Sequence, residues 1–255
     1  MTAAVRMERA LVALLLGVAG LAWWWTVERM DGMDRGPWTS LGSLDWFLGV
    51  WVVMMAAMML PSAIPAVTVY AHLARDRTTL APLVFAFGYL AVWVAAGLLA
   101  FGVAVAGSHV AGHVLAWNRG GRWLAGAALL GAAAYQLTPL KEACLSKCRT
   151  PLGLMLGSWR PGRRGGFRLG VASGAWCAGC CWALMASLFA LGVMSIAWTA
   201  LVAAVVGLEK TLPWRRVATG GAAGLLIALG ILLLTVPDRI PLLTLPGSGA
   251  MPPGG

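Results

Sequence analysis

Apolar runs recur along the chain at the length of a membrane-crossing helix, and this repetition restricts the fold more than any other feature. A crossing helix needs roughly 20 mostly apolar residues. Seven runs are candidates: about 10–27, 45–74, 80–106, 123–137, 167–191, 195–208 and 217–236. The fourth and sixth are short, and the sixth reads equally as half of a re-entrant hairpin with the fifth. The first ends in Trp23-Trp24-Trp25 and shows no small-residue cleavage pattern, so it does not read as a cleaved signal peptide. Composition agrees. The chain is 60% hydrophobic and 11% charged, where soluble proteins average about 45–50% apolar and about 25% charged. A net charge of +10 raises the question of nucleic acid, but so few charges between long uncharged runs argue against it. The apolar content excludes disorder. Five cysteines are too sparse, and odd in number, for a disulfide scaffold. The expected fold is all-α: a polytopic transmembrane helix bundle of about seven spans over residues 1–236. A Pro/Gly-rich tail over 237–255 is expected to be disordered.

The basic residues orient the bundle, because Lys and Arg concentrate on the cytoplasmic side. With the N-terminus inside, 14 of the 19 Lys and Arg fall on inner segments, including Arg6, Arg75, Arg77, Lys141, Lys147, Arg149, Arg163 and Arg168. The five on outer segments are Arg29, Arg35, Arg119, Arg122 and Arg239. The C-terminus then lies outside. Trp23–Trp25, Trp38, Trp117 and Trp123 would belong to an outer aromatic belt. The expected location is a bacterial inner membrane.

The cysteines come in two groups. Thr138-Pro139 is a helix start, with Thr as N-cap and Pro at the first helical position. Thr150-Pro151 is a stop. A short helix over about 139–149 puts Cys144 and Cys148 at i and i+4, on one face. The neighbouring Lys141, Lys147 and Arg149 predict a lowered thiol pKa. The second group, Cys177-Ala178-Gly179-Cys180-Cys181, lies inside the fifth run. Its three thiols share an arc of roughly 100° with Gly170, Ser173 and Gly174. A small-residue packing stripe explains the glycines but explains three cysteines in five positions less well.

Methionines supply a third element. Met54-Met55-Ala56-Ala57-Met58-Met59 precedes Leu60-Pro61-Ser62, and Met54/Met58 and Met55/Met59 align at i, i+4. Thioethers are neutral soft ligands suited to Cu(I), although core packing is their usual work. Pro61 and Pro65 each remove a helical hydrogen bond, which inside a membrane is tolerated where the backbone is buried or lines a cavity. At 1.5 Å per residue the methionines lie roughly 13–21 Å below the outer end of their run. The Cys177 group lies roughly 13–20 Å above the inner end of its own. Secondary candidates are Met55 and Met59, the His109/His113 pair near the outer end of the third run, and Glu209, which with Lys210 closes the sixth run.

Together these segments resemble a family catalogued as predicted metal-binding integral membrane proteins and often labelled copper-associated. The resemblance is carried by Met54–Ser62, by Tyr135-Gln136-Leu137-Thr138-Pro139-Leu140-Lys141, and by Cys144-Leu145-Ser146-Lys147-Cys148-Arg149. It continues through Gly174–Met185, with its Cys-Ala-Gly-Cys-Cys-Trp core, and Glu209-Lys210 with Pro213. It spans about residues 45–236 and implies metal binding. The histidine pair lies outside it.

The expected function is handling of a soft metal, Cu(I) first. Cys177, Cys180 and Cys181 with Met54 and Met58 would form a midplane site, and Cys144 and Cys148 an inner donor or acceptor site. Zinc is the competitor, but four thiolates at midplane carry excess negative charge there. The expected partners are the lipid bilayer and a soluble metal chaperone or acceptor. No nucleic acid and no enzymatic activity are expected, and the chain shows no ATP-binding motif. The alternatives are a transmembrane thiol–disulfide relay, and a structural membrane subunit whose Cys and Met merely pack.

Overall fold

A computed structural model describes residues 3–30, 42–74, 80–111, 122–158, 162–191, 196–212 and 214–236. These form nine helices and, among the described residues, no strand. They are α1 (Ala3–Met30), α2 (Leu44–Leu73), α3 (Leu80–Ala111), α4 (Arg122–Gln136), α5 (Pro139–Arg149), α6 (Pro151–Ser158), α7 (Gly162–Leu191), α8 (Ile196–Thr211) and α9 (Arg215–Thr235). The tail 237–255, His113, Trp38, Trp117 and several of the loop arginines used for orientation lie outside the described residues.

Every apolar run contains a helix, but not every helix is long enough to cross a membrane. Five are long and apolar enough: α1, α2, α3, α7 and α9. Helices α4 and α8 have 15 and 16 residues. That makes them about 22 and 24 Å long, short of an apolar core of about 30 Å. The expected seven crossings thus become five helices of crossing length and two shorter ones.

Two punctuation signals behave differently from one another. Pro61 and Pro65 do not end α2, which continues to Leu73. Nearby hydroxyls turn to the helix backbone there: Ser62 donates to the Met59 carbonyl at 2.8 Å and Thr68 to the Pro65 carbonyl at 3.1 Å. Thr150-Pro151 does end α5, but Pro151 opens α6 immediately, taking the first-turn position its ring favours.

The chain divides into two compact units. The first draws on Met1–Glu28, Gly42–Gly102 and Pro139–Cys181. Its frame is α2, which runs antiparallel to both α3 and α7. Against α3, Tyr70 stacks on Phe85 (5.2 Å), the Trp51 indole N–H donates to the Trp93 carbonyl (2.8 Å) and Phe47 meets Phe101 (5.4 Å). Helices α3 and α7 run side by side in the same direction along a glycine seam. A Cβ on Gly174 would come 2.8 Å from the Tyr89 carbonyl, and one on Gly170 would collide with the Phe85 carbonyl. Only glycine lets the two backbones approach so closely. At the other face, Glu8 of α1 meets His72 at the far end of α2 (3.3 Å), and α6 packs on α2 and α5.

The second unit draws on Arg29–Leu41, Val103–Thr138 and Trp182–Gly255. It is built on the antiparallel pair α4 and α9, with α8 against α9. Leu129 and Leu130 close over Gly230, and Leu234 closes over Gly126. Tyr135 meets Trp182 edge-on at 5.0 Å.

Candidate metal centre

Helix α7 sets three thiols on one face, because steps of three and four residues return to nearly the same bearing. The sulfurs of Cys177, Cys180 and Cys181 all lie within 4.8 Å of one another and are buried. Two of them are pinned by their own helix. Cys180 donates to the Cys177 carbonyl at 3.1 Å, and Cys181 donates to the same carbonyl at 2.9 Å. All five cysteines are free thiols.

Helix α5 brings the other two. Its sequence is the least apolar of the described helices, yet Lys141, Cys144 and Leu145 form a buried face. That face lies against the middle of α7. The Cys148 sulfur is 3.7 Å from that of Cys180. The Cys144 sulfur fills the space left by Gly179, where a Cβ would approach it to 3.1 Å. The two cysteine groups, expected at midplane and on the inner side, are therefore brought together: Cys148 reaches Cys180, and Cys144 lies against Gly179. Hydrophobicity alone assigned α5 to a loop because its outer face is polar. The three-residue and four-residue spacing of its buried residues carries it into the fold.

The thiol chemistry also differs from expectation. Burial pushes the Cys144 thiol up, and the charge of Cys180 adds to it. Cys148 is raised too, first by hydrogen bonds to Cys177 and Cys180 and then by burial. The lowering expected from Lys141, Lys147 and Arg149 does not act on either thiol: Lys147 is exposed and Arg149 half-buried, and Lys141, though buried, is outweighed by burial and by the neighbouring thiols. Without metal, Cys144 and Cys148 are held as protonated thiols.

Helices α2 and α3 complete the site. Met59 lies with its sulfur 3.9 Å from the Cys177 sulfur and is wholly buried. The Tyr89 hydroxyl donates to the Cys177 sulfur at 2.9 Å. Met54, Met55 and Met58 are buried in α2. Met58 and Met54 sit about 100° and about 140° around the helix from Met59, so the methionine that meets the thiols is one the sequence ranked second. Sequence reasoning passed over Tyr89. Its signal was a single hydroxyl in the middle of an otherwise apolar α3 run, a position that in a membrane helix calls for a partner. Gly179 was read only as part of the motif and makes room for Cys144.

The remaining candidates are elsewhere. His109 is exposed in the last turn of α3, in the second unit. Glu209 is buried in α8, also in the second unit. The group itself is all sulfur: the three α7 thiols, with Cys148 against Cys180, Met59 against Cys177, and Cys144 beside them at Gly179. Such a donor set suits soft metals, above all Cu(I). With metal–sulfur bonds of about 2.3 Å, one ion can join sulfurs up to about twice that distance apart.

Residues 48–233 match the model of a family described as PpoB2, copper chaperone. The matched stretch contains all five cysteines, Met59 and Tyr89, and it coincides with the region over which the sequence resembled a copper-associated family. No curated protein and no solved structure matches the chain. The chain belongs to the PpoB2 copper-chaperone family.

Proposed function

We propose that this member of the copper-chaperone family carries Cu(I) as cargo in one sulfur cluster. The cluster comprises Cys177, Cys180, Cys181, Cys144, Cys148 and Met59, and copper is passed on by ligand exchange without catalysis of any other reaction. The convergence of α2, α5 and α7 on that cluster carries the reading. Cu(I) is satisfied by fewer sulfurs than tetrahedral zinc, so fewer thiolates have to be ionised inside the membrane, and neutral Met59 adds a donor without adding charge. Lys141 is wholly buried on the same face of α5 as Cys144.

The chaperone is proposed to work within a membrane. Five helices of crossing length support this, as do large apolar side chains on outward faces, among them Leu21, Phe87 and Leu99, each about two-thirds exposed. Helices α5 and α6, at 11 and 8 residues, are too short to cross. They are read as a re-entrant pair that carries Cys144 and Cys148 to the depth of the α7 thiols. The bias of basic residues supports an N-terminus in the cytoplasm and a C-terminus outside, in a membrane proposed to be the bacterial inner membrane. Copper is exchanged with a soluble donor or acceptor.

Elemental analysis of anaerobically purified protein tests the reading, with a Cys177/Cys180/Cys181→Ser triple variant alongside. The wild type is expected to retain Cu(I) after loading and the variant to lose most of it. Equal copper in the two sinks the proposal.

A further inference from the structure

We infer that Cys148 is the thiol through which copper passes in and out of the cluster, and that the sulfurs behind it form an ordered path from Cys148 to Cys180 to Cys177 to Met59. This rests on the copper reading above and adds its route. Four of the thiols are closed off: Cys144 is 6% exposed, Cys177 and Cys180 2%, and Cys181 1%. Cys148 alone is half-buried. An exchange partner has to reach the sulfur it attacks, so the first ligand exchange takes place at Cys148.

The path from there is short. Cys148 and Cys180 are 3.7 Å apart, Cys180 and Cys177 no more than 4.8 Å, and Cys177 and Met59 3.9 Å. The first and last steps are within the roughly 4.6 Å that one ion spans with two bonds of about 2.3 Å, and the middle step is at most about 0.2 Å beyond it. The path therefore needs no helix to move. Exposure falls along it, from half-buried Cys148 to wholly buried Met59. One turn further along α2 lies Met55, equally buried.

The flanks of Cys148 indicate the donor. Lys147 is exposed on one side and Arg149 is half-buried on the other. Positive charge beside the gateway draws anions, and low-molecular-weight Cu(I)–thiolate complexes are anionic. In the exchange, copper held by a donor thiolate forms a bond to the Cys148 sulfur and breaks its bond to the donor. The Cys148 proton passes to the donor, which leaves as a neutral thiol. Copper remains Cu(I) and no electron moves.

The test uses full-length apo protein in lipid nanodiscs. It is treated with limiting iodoacetamide and the modified thiol is located by peptide mass spectrometry. Cys148 is expected to react at least about tenfold faster than the other four. Protein modified only at Cys148 is expected to load copper from Cu(I)–glutathione at least about tenfold more slowly than untreated protein. Cys148→Met, which keeps a soft donor, is expected to load faster than Cys148→Ser. Another cysteine reacting first, unchanged loading after modification of Cys148, or equal loading by the two variants overturns the route and leaves the copper reading standing. Wild-type protein that takes up no copper, even from excess Cu(I), overturns the copper reading and the route with it.

Discussion

The Cys148 sulfur stands 3.7 Å from that of Cys180, although 32 residues separate them in sequence. The contact joins α5 to α7, so the two side chains can turn toward each other. Cys144 and Cys148 share one helix and project a full turn apart, a poor fit to disulfide geometry. Mild oxidation of the apo protein with diamide is therefore expected to give a Cys148–Cys180 bridge before a Cys144–Cys148 bridge. Peptide mapping under non-reducing conditions distinguishes them, and a dominant Cys144–Cys148 product contradicts the arrangement. Prior loading with Cu(I) is expected to suppress the bridge, because ligated sulfur is withdrawn from exchange.

Met59 and Met58 separate ligation from packing. Both are buried in α2, but only Met59 is paired with Cys177 in the cluster. A Met→Leu exchange nearly conserves volume and costs less than about 1.5 kcal/mol of stability at either position. Met59→Leu removes a soft donor and is expected to lower Cu(I) affinity about tenfold, or about 1.4 kcal/mol. Met58→Leu is expected to leave affinity within about twofold. Competition against a chromophoric Cu(I) chelator measures both, and equal losses would return the methionines to the role of core filler.

The glycine seam sets the position of Cys177 and can be broken without touching a sulfur. A side chain at Gly170 meets the backbone carbonyl of Phe85, whereas one at Gly49 of α2 meets nothing within 4 Å. Gly170→Ala is expected to destabilise the protein by about 1–3 kcal/mol as α3 and α7 are forced apart. Gly49→Ala is expected to be neutral or stabilising by up to about 1 kcal/mol, from helix propensity. Thermal melts of the two variants decide. A Gly170→Ala protein that melts at the wild-type temperature removes the seam as the element that fixes the cluster.

Much of this architecture is legible in the residues, and the unread part has physical causes. Apolar runs located the helices well, since mean hydropathy over a turn or more averages out single residues. The limits of α5 followed from Thr138-Pro139 and Thr150-Pro151, because caps and prolines act locally. The three α7 thiols were legible as one face for the same reason. What escaped depends on contacts between helices. Nothing local distinguishes Met59 from Met58, or shows that Tyr89 meets Cys177. Hydrophobicity placed α5 outside the bundle, since a helix with one buried face and one polar face averages to a polar segment. The glycines were legible as a packing stripe and the cysteines as a cluster, and both lie on the same face of α7: Gly170 and Gly174 press against α3, and Cys177 continues the line to Tyr89.

The raised thiols of α5 tie copper loading to protons. Cys144 is raised mainly by burial, and Cys148 mainly by hydrogen bonds to Cys177 and Cys180. In the unfolded chain such thiols ionise at about pH 8.5, so the folded values lie above the unfolded ones. Their contribution to stability is then complete below about pH 8.5 and is lost as pH rises toward the folded values. Apo protein is expected to lose stability in alkaline solution, and replacing both residues with Ala is expected to remove that component of the loss. Metal requires the thiolate, so Cu(I) has to displace the protons these residues hold at neutral pH. Apparent affinity is expected to rise about tenfold per pH unit for each proton displaced. In weakly buffered solution at neutral pH, an indicator dye is expected to report more than one proton released per copper bound. Loading without acidification would mean either that the thiols are already ionised or that they do not bind the metal. Repeating the titration with a Cys144→Ala/Cys148→Ala protein decides between these: unchanged copper uptake excludes the α5 thiols as ligands, and diminished uptake shows that they were ionised ligands.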